Sequence, residues 1–551
     1  MPFLLFETVV RYGQQHNQGL EAENEAPLTH PIQLFYKYEM HPDYLGSMNA
    51  NNHKTAALLE QGNWFRPWMP ITLILLLATG LYLYQLGTES LWVDELISIH
   101  RAKHLDQVFN STRPLYHIFL RVWMILSSSD TWLRGLCLVF SIGTVFITYR
   151  LGRRLIGEST GLIAALIVAL SPLFIHHAQE VRMYAPSTFF GVAGTLILTH
   201  ALERPTTPLL LGWAALRFLA IITTPINVAL LLPDIVVFGW KYRNQPRVLF
   251  RFGVGLLLIG ILWLPWVFPL VTKSAKFMGG VKVPGTSVPD LGGRTSPGVV
   301  DVIMQPGRFT AWPFGRANSN AIYWFYNAYS VMLTCLLGVV LFNKPRSAKL
   351  GWIAAWAFLP LVLFFSVSQV SRSLWVNRYL LLAAPYLFIL LAAAGIGIWR
   401  RWRIGALVIA LIYAIAVGGG LKRYYTVLDR ENWRGLVETI ATKEEPGDVI
   451  VWSIGQRIPV ALNHYYHGST TIEIKDVLPP SVRKNDQQAI EGWVSSLPPT
   501  KSRLWLVYVK SSKLFRSIVK EQFQIETREK PIDGIEIFLL KPRSAEKTSQ
   551  E

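Results

Sequence analysis

Only two cysteines occur in 551 residues, Cys137 and Cys335, and both sit inside apolar runs. That excludes a disulfide scaffold and a cysteine-rich metal centre. Charge is also scarce, at 16% of residues against 51% hydrophobic, and the mean hydropathy is +0.31. The chain has no G-x-G-x-x-G, no P-loop and no D-x-D, so nothing in it marks nucleotide binding. The formal net charge of +18 does not point to nucleic acid. The basic residues cluster in short connectors between apolar runs, where membrane topology accounts for them.

What the chain does have is a series of apolar runs near the ~20 residues that cross a bilayer as a helix. They predict a polytopic α-helical membrane protein with about eleven spans, at 69–86, 132–151, 161–178, 183–202, 208–224, 226–240, 248–270, 321–342, 350–370, 378–399 and 403–421. The connectors YRLGRRL, KYRNQPR, NKPRSAK and RRWR fall on one side, which the positive-inside rule makes cytoplasmic. The loops at 87–131 and 271–320 and everything after 421 then face outward. The 271–320 loop breaks the charge rule, because it carries Lys273, Lys276, Lys282, Arg294, Arg308 and Arg316. Residues 1–68 are polar and irregular, without a signal-peptide pattern. They read as a cytoplasmic segment, with 1–47 disordered or an over-extended start.

Composition changes again after about residue 425. DVIVWS (448–453), TTIEIKDV (470–477), RLWLVYV (503–509) and IEIFLL (535–540) predict short buried strands, with helices at 459–468 and near 484–496 between them. That alternation predicts a small carboxy-terminal α/β domain over 425–551.

Four clusters carry candidate chemistry. In LWVDE the adjacent acids Asp94 and Glu95 follow an apolar stretch. A solvated loop would explain them, but carboxylates among Leu91, Trp92, Val93 and Leu96 at a membrane boundary are costly unless paired or used. Adjacent side chains point in different directions, so the two acids should have different jobs. The second cluster, RPLYHIFLRVW (113–123), has the spacing of an interfacial helix. The third, HHAQEVRMYAP (176–186), gathers His176, His177, Gln179, Glu180, Arg182 and Tyr184. If the helix continues there, His176 and Glu180 share a face, which suits either a divalent metal or a hydrogen-bonded polar cluster. Arg182 suits a phosphate through its planar fork. In the fourth, Arg378 and Tyr379 open a late span, where the arginine either snorkels to headgroups or holds a lipid phosphate. All four fall on the outward side of one topology.

These motifs resemble the GT-C superfamily of membrane glycosyltransferases, and in particular glycosyltransferase family 39, which includes protein O-mannosyltransferases and is related to aminoarabinose transferases of lipid A. LWVDE resembles that family's acidic motif in the first outward loop. Pro114, Leu115 and Tyr116 match its Pro-Leu-Tyr segment, QEVRMY opens the fourth span, and Arg378–Tyr379 opens a late one. RLGRRLIG is a typical connector, and DRENWRGLVETI with EEPGDVIV resembles the link into an outward domain of bacterial members. The likeness covers roughly 69–455, with a GT-C transmembrane domain over 69–424. One departure is the sequence Thr112-Arg113 where members often read His-Pro.

The resemblance implies an integral-membrane glycosyltransferase that takes a monosaccharide from a polyprenyl-phosphate sugar, inverting, on the extracytoplasmic side of a plasma membrane. Asp94 would be the general base and Glu95 would orient the acceptor or a catalytic partner. Arg182, Arg378, Arg113 and Tyr379 would bind the donor phosphate, and Gln179, Glu180, Tyr184 and Tyr116 the substrate. Glu180, His176 and His177 are the candidate ligands of an optional divalent metal, and no other cofactor is implied. The acceptor is a lipid, a polysaccharide or a protein. A flippase or transporter of lipid-linked sugars is the alternative. It predicts that Asp94 serves binding or coupling and that no glycosyl product forms. An oligosaccharide ligase or polymerase is a third reading and would need a diphosphate donor.

Overall fold

The computed structural model describes residues 68–278, 296–316, 319–342, 347–370, 373–427, 430–453, 459–468, 470–474, 486–497, 503–509, 511–532 and 534–542. The expectations for 1–67 and for Lys282 and Arg294 lie outside the described residues.

The chain opens with α1 (Met69–Leu83). Three short helices follow, α2 (Val93–Lys103), α3 (Leu105–Phe109) and α4 (Pro114–Met124). Then come α5 (Asp130–Leu155) and a broken pair, α6 (Glu158–Leu170) and α7 (Pro172–Ala178). After α8 (Tyr184–Glu203) and α9 (Thr207–Thr223), a 3-10 segment at Pro225–Leu230 leads into α10 (Leu231–Lys241). The run continues through α11 (Pro246–Met278), α12 (Val299–Ala311), α13 (Asn320–Phe342) and α14 (Ala348–Val370). It closes with α15 (Asn377–Leu380), α16 (Ala384–Arg401) and α17 (Arg403–Thr426). The described chain groups into two bodies. Among the described residues, the first draws on 68–84, 137–179 and 183–426, and the second on 85–136, 180–182 and 427–542.

The first body is helical. Each of the eleven expected spans falls on helix, but length and apolarity separate them. Among the described residues seven helices can cross a membrane: α5, α8, the Pro246–Val267 part of α11, α13, α14, the α15–α16 run and α17. The pair α6 and α7 passes only together and is bent by 64°. The break lies at Ser171–Pro172. Proline removes the N–H that would continue the ladder. Ser171 Oγ accepts from the Phe174 N–H at 3.4 Å and so restarts the helix. α1 and α9 are apolar but shorter, and α10 has 11 residues. The 271–320 stretch is not simply a loop, since α11 runs into it and α12 lies within it.

α8 and the α15–α16 run are 72% buried over their apolar windows, against 17% for α11. The first two are inner helices, and α11 keeps its apolar surface for lipid. α5 and α6 meet closely through glycine. Gly157 turns the chain at φ 153°, and a Cβ on Gly161 would come 2.5 Å from the Tyr149 carbonyl oxygen.

A charged pair lies in this apolar setting. Arg217 on α9 and Asp234 on α10 approach to 2.6 Å with both side chains fully buried. Asp234 also accepts from the indoles of Trp213 and Trp356, each at 2.8 Å. Arg217 reaches Thr195 Oγ1 on α8 at 2.7 Å. Buried ions in a membrane domain are tolerated only when paired and hydrogen-bonded in this way.

The second body joins α2–α4 and the start of α5 to a small α/β domain. That domain comprises α18 (Trp433–Ala441), β1 (Val449–Trp452), α19 (Pro459–Tyr465), β2 (Thr471–Ile474), α20 (Gln487–Ser495), β3 (Leu504–Val509), α21 (Lys513–Gln522), β4 (Phe523–Ile532) and β5 (Ile535–Pro542). The sheet order is β2-β1-β3-β5-β4, parallel through β2, β1 and β3 and antiparallel at β5 and β4. Four of its strands match the predicted ones. β4, α18 and α21 lie outside the sequence expectation, and FQIETREKPI carries polar or charged residues at the exposed positions of β4. Such charge suits the edge place β4 takes. α18, α20 and α21 start on side-chain caps from Asn432, Asp486 and Ser512.

Candidate active site

The two acids of LWVDE sit in the first turn of α2 and part as their adjacency predicts. Asp94 keeps a side chain 34% exposed and meets Arg182 Nη2 at 3.3 Å. Arg182 also donates to the Asp94 carbonyl at 2.9 Å and to Ser98 Oγ at 3.2 Å. The arginine therefore grips both the backbone and the side chain of Asp94. Glu95 is fully buried. Its Oε1 accepts from the Val181 N–H at 2.7 Å, and its Oε2 accepts from the Trp92 N–H at 3.1 Å. Arg134 Nη2 and Arg430 Nη1 reach the same Oε2 at 3.3 and 3.5 Å. A carboxylate enclosed by two guanidiniums and two N–H groups is compensated for burial. It is not placed to meet a substrate, and it ties the start of α2 to the 180–182 link.

Arg134 has a side chain only 1% exposed. It donates to the carbonyls of Leu86, Glu89 and Ser90 at 2.8 to 3.1 Å. It fixes the irregular run that leads into α2.

Arg113 caps α4, with its N–H donating to Ser111 Oγ at 3.1 Å. Tyr116 and His117, on the first turn of α4, are buried with ring centroids 5.6 Å apart. His117 is 2% exposed. Burial, followed by the positive charges of Arg101, Arg113 and Arg182, pushes its imidazole down to about 3.

The other candidates are placed as follows. α7 ends at Ala178, so the helical face expected for His176 and Glu180 is not formed. His177 is buried, its ring 5.1 Å from Tyr184, which opens α8 and is buried too. Glu180 is buried in the 180–182 link of the second body. Gln179 gives its amide to the carbonyls of Tyr82 and Tyr84 at 2.9 and 2.8 Å and accepts from the Tyr424 hydroxyl at 2.8 Å. Those bonds lock α1, α7 and α17 together and point to packing rather than substrate contact. Arg378 and Tyr379 sit on α15, with the guanidinium 5.5 Å from the tyrosine ring centre. In the same body an apolar cavity of about 400 Å³ is lined by Gln305, Thr334, Phe358, Phe365 and Trp375. Of the basic 271–320 stretch, Arg308 pairs with Asp301 at 2.8 Å.

Sequence reasoning missed Arg134, Arg430, Arg101 and His117. Arg134 lay inside a predicted span, and an arginine there is itself a signal. Arg430 lay in DRENWRG, which had been read only as a link.

These elements define a polytopic α-helical membrane protein with a small carboxy-terminal sheet domain. The architecture is similar to two crystal structures of ArnT from Cupriavidus metallidurans. One is bound to undecaprenyl phosphate, at 13% identity and TM-score 0.55, and one is in the apo state, at 12% and 0.56. Each match covers 85% of this chain and 97% of that one. At such identity the likeness shows the fold. No family model matches the chain. An uncharacterized protein of Aquifex aeolicus (strain VF5) is 27% identical over 209 residues, 34% of this chain. The match spans 41% of that relative's length.

Proposed function

We propose that the protein is a membrane glycosyltransferase that moves a monosaccharide from a polyprenyl-phosphate sugar to an acceptor hydroxyl on the extracytoplasmic side. The observation that carries this reading is the Asp94–Arg182 pair, a part-exposed carboxylate at the start of α2 held by a guanidinium of the 180–182 link. The ArnT likeness supports it, since one of those structures holds undecaprenyl phosphate.

The acceptor oxygen attacks the anomeric carbon as the bond from that carbon to the phosphate oxygen breaks. The acceptor proton passes to Asp94, acting as general base. The polyprenyl phosphate leaves with the bonding electrons and is held by Arg113 and Arg182, which stabilise the charge that develops on it. One displacement inverts the anomeric centre. Arg378 and Tyr379 are proposed as further phosphate contacts. Glu95 acts through position: it fixes the α2 start that carries Asp94.

Purified protein in lipid nanodiscs, given a panel of radiolabelled polyprenyl-phosphate sugars, tests this. Wild type should release polyprenyl phosphate and transfer label from one donor. Asp94→Asn should bind that donor and turn it over about 10²–10⁴-fold more slowly. Equal turnover by Asp94→Asn refutes the general base. Transport of the donor across the membrane with no glycosyl product favours a flippase instead.

A further inference from the structure

The run Gln85–Trp92 that delivers Asp94 has no regular structure before α2, and Gln85 has φ 57°. An irregular run holds a base in place only if something else holds the run. Arg134 supplies part of that hold, and the remainder comes from more than 300 residues further along the chain.

Asp130, the first residue of α5, gathers three donors from the carboxy-terminal domain. His464 Nε2 lies 3.0 Å from Oδ1, while Arg434 Nη2 and the Tyr465 hydroxyl reach Oδ2 at 2.6 and 2.7 Å. Two of these residues also grip the run itself. The Tyr465 oxygen accepts from the Leu91 N–H at 2.9 Å. The Arg434 N–H donates to Ser90 Oγ at 3.1 Å, and its guanidinium reaches the Gly87 carbonyl at 3.4 Å. Arg430 extends the grip, with its N–H 3.2 Å from Glu89 Oε1, Nε 3.3 Å from Glu89 Oε2 and Nη1 3.5 Å from Glu95 Oε2. Gly87, Glu89, Ser90, Leu91 and Glu95 are thus each bonded to the carboxy-terminal domain.

We propose that the carboxy-terminal domain is a positioning part of the active site, in which Arg434 and Tyr465, gathered on Asp130, together with Arg430, bonded to Glu89 and Glu95, hold residues 87–95 so that Asp94 meets its substrate. The inference rests on the glycosyl-transfer reading for what is positioned, but the hold itself can be measured without turnover. Positioning matters at this scale because a misplacement of about 1 Å can lower a rate about 10²-fold.

The test uses the full-length protein in nanodiscs as wild type, Tyr465→Phe, Arg430→Gln and Arg430→Lys. Tyr465→Phe removes the acceptor of the Leu91 N–H, and Arg430→Gln removes the bonds to Glu89 and Glu95. Amide hydrogen exchange in peptides spanning 86–98 should be about tenfold faster in both variants and unchanged in β3 and β5. Donor turnover should fall about 10–100-fold in kcat with donor KM unchanged, and Arg430→Lys should restore part of it. Unchanged exchange over 86–98 in both variants overturns the hold, whatever the activity. Faster exchange with unchanged kcat overturns its role in positioning the base. A wild type that consumes no donor overturns the glycosyl-transfer reading and the catalytic role with it, while the exchange result still decides whether the domain orders the run.

Discussion

His117 offers a prediction whose size can be worked from the structure. The imidazole is 2% exposed, and burial with the charges of Arg101, Arg113 and Arg182 holds it at about 3, against an ordinary 6.5. The unfolded chain therefore binds a proton that the native state refuses. The penalty starts as the pH falls below about 6.5, grows by about 1.4 kcal/mol per unit and levels off near pH 3. At pH 5.5 it is about 1.4 kcal/mol. A kcal/mol moves the melting temperature of a body of some 150–250 residues by about 2–4 °C. Wild type should thus lose about 3–5 °C between pH 7.5 and 5.5 that His117→Gln does not lose. Melting followed by tryptophan fluorescence in detergent at a series of pH values reads the difference directly. Parallel profiles for wild type and His117→Gln would refute the claim that this ring is held neutral.

Two further predictions concern the first body. Asp234→Asn keeps the shape but removes the charge that Arg217 faces, and breaking such a buried pair should lower stability by about 3–5 kcal/mol. The double variant Arg217→Met with Asp234→Leu should recover part of that, and thermal melting of the three proteins compares them. Gly161→Val places a Cβ 2.5 Å from the Tyr149 carbonyl oxygen, where backbone must move. It should sharply reduce the monodisperse yield on size-exclusion chromatography, whereas Gly253→Ala, which meets nothing within 4 Å, should not.

Some of this protein is legible in local patterns alone. Apolar runs predicted the helices because a span must satisfy its own backbone bonds, which makes its signal local and long. The LWVDE run announced its importance through two acids in apolar company, and their adjacency was enough to predict that they would diverge. The short strands of the carboxy-terminal domain showed themselves as apolar clusters. β4 did not, because an edge strand alternates charge with partial burial and has no strong local signature. The break at Ser171–Pro172 was written in the chain as a proline, whereas the end of α7 at Ala178, two residues short of Glu180, was not.

The partners of the acids were decided only by tertiary structure. Glu95 meets Arg134 at a separation of 39 residues and Arg430 at 335. Asp130 meets Tyr465 at a separation of 335, and Asp234 takes an indole from Trp356 at 122. A buried carboxylate needs donors, and that requirement can be read from one residue. Which donors answer it depends on how distant segments are brought together, and no local periodicity records that.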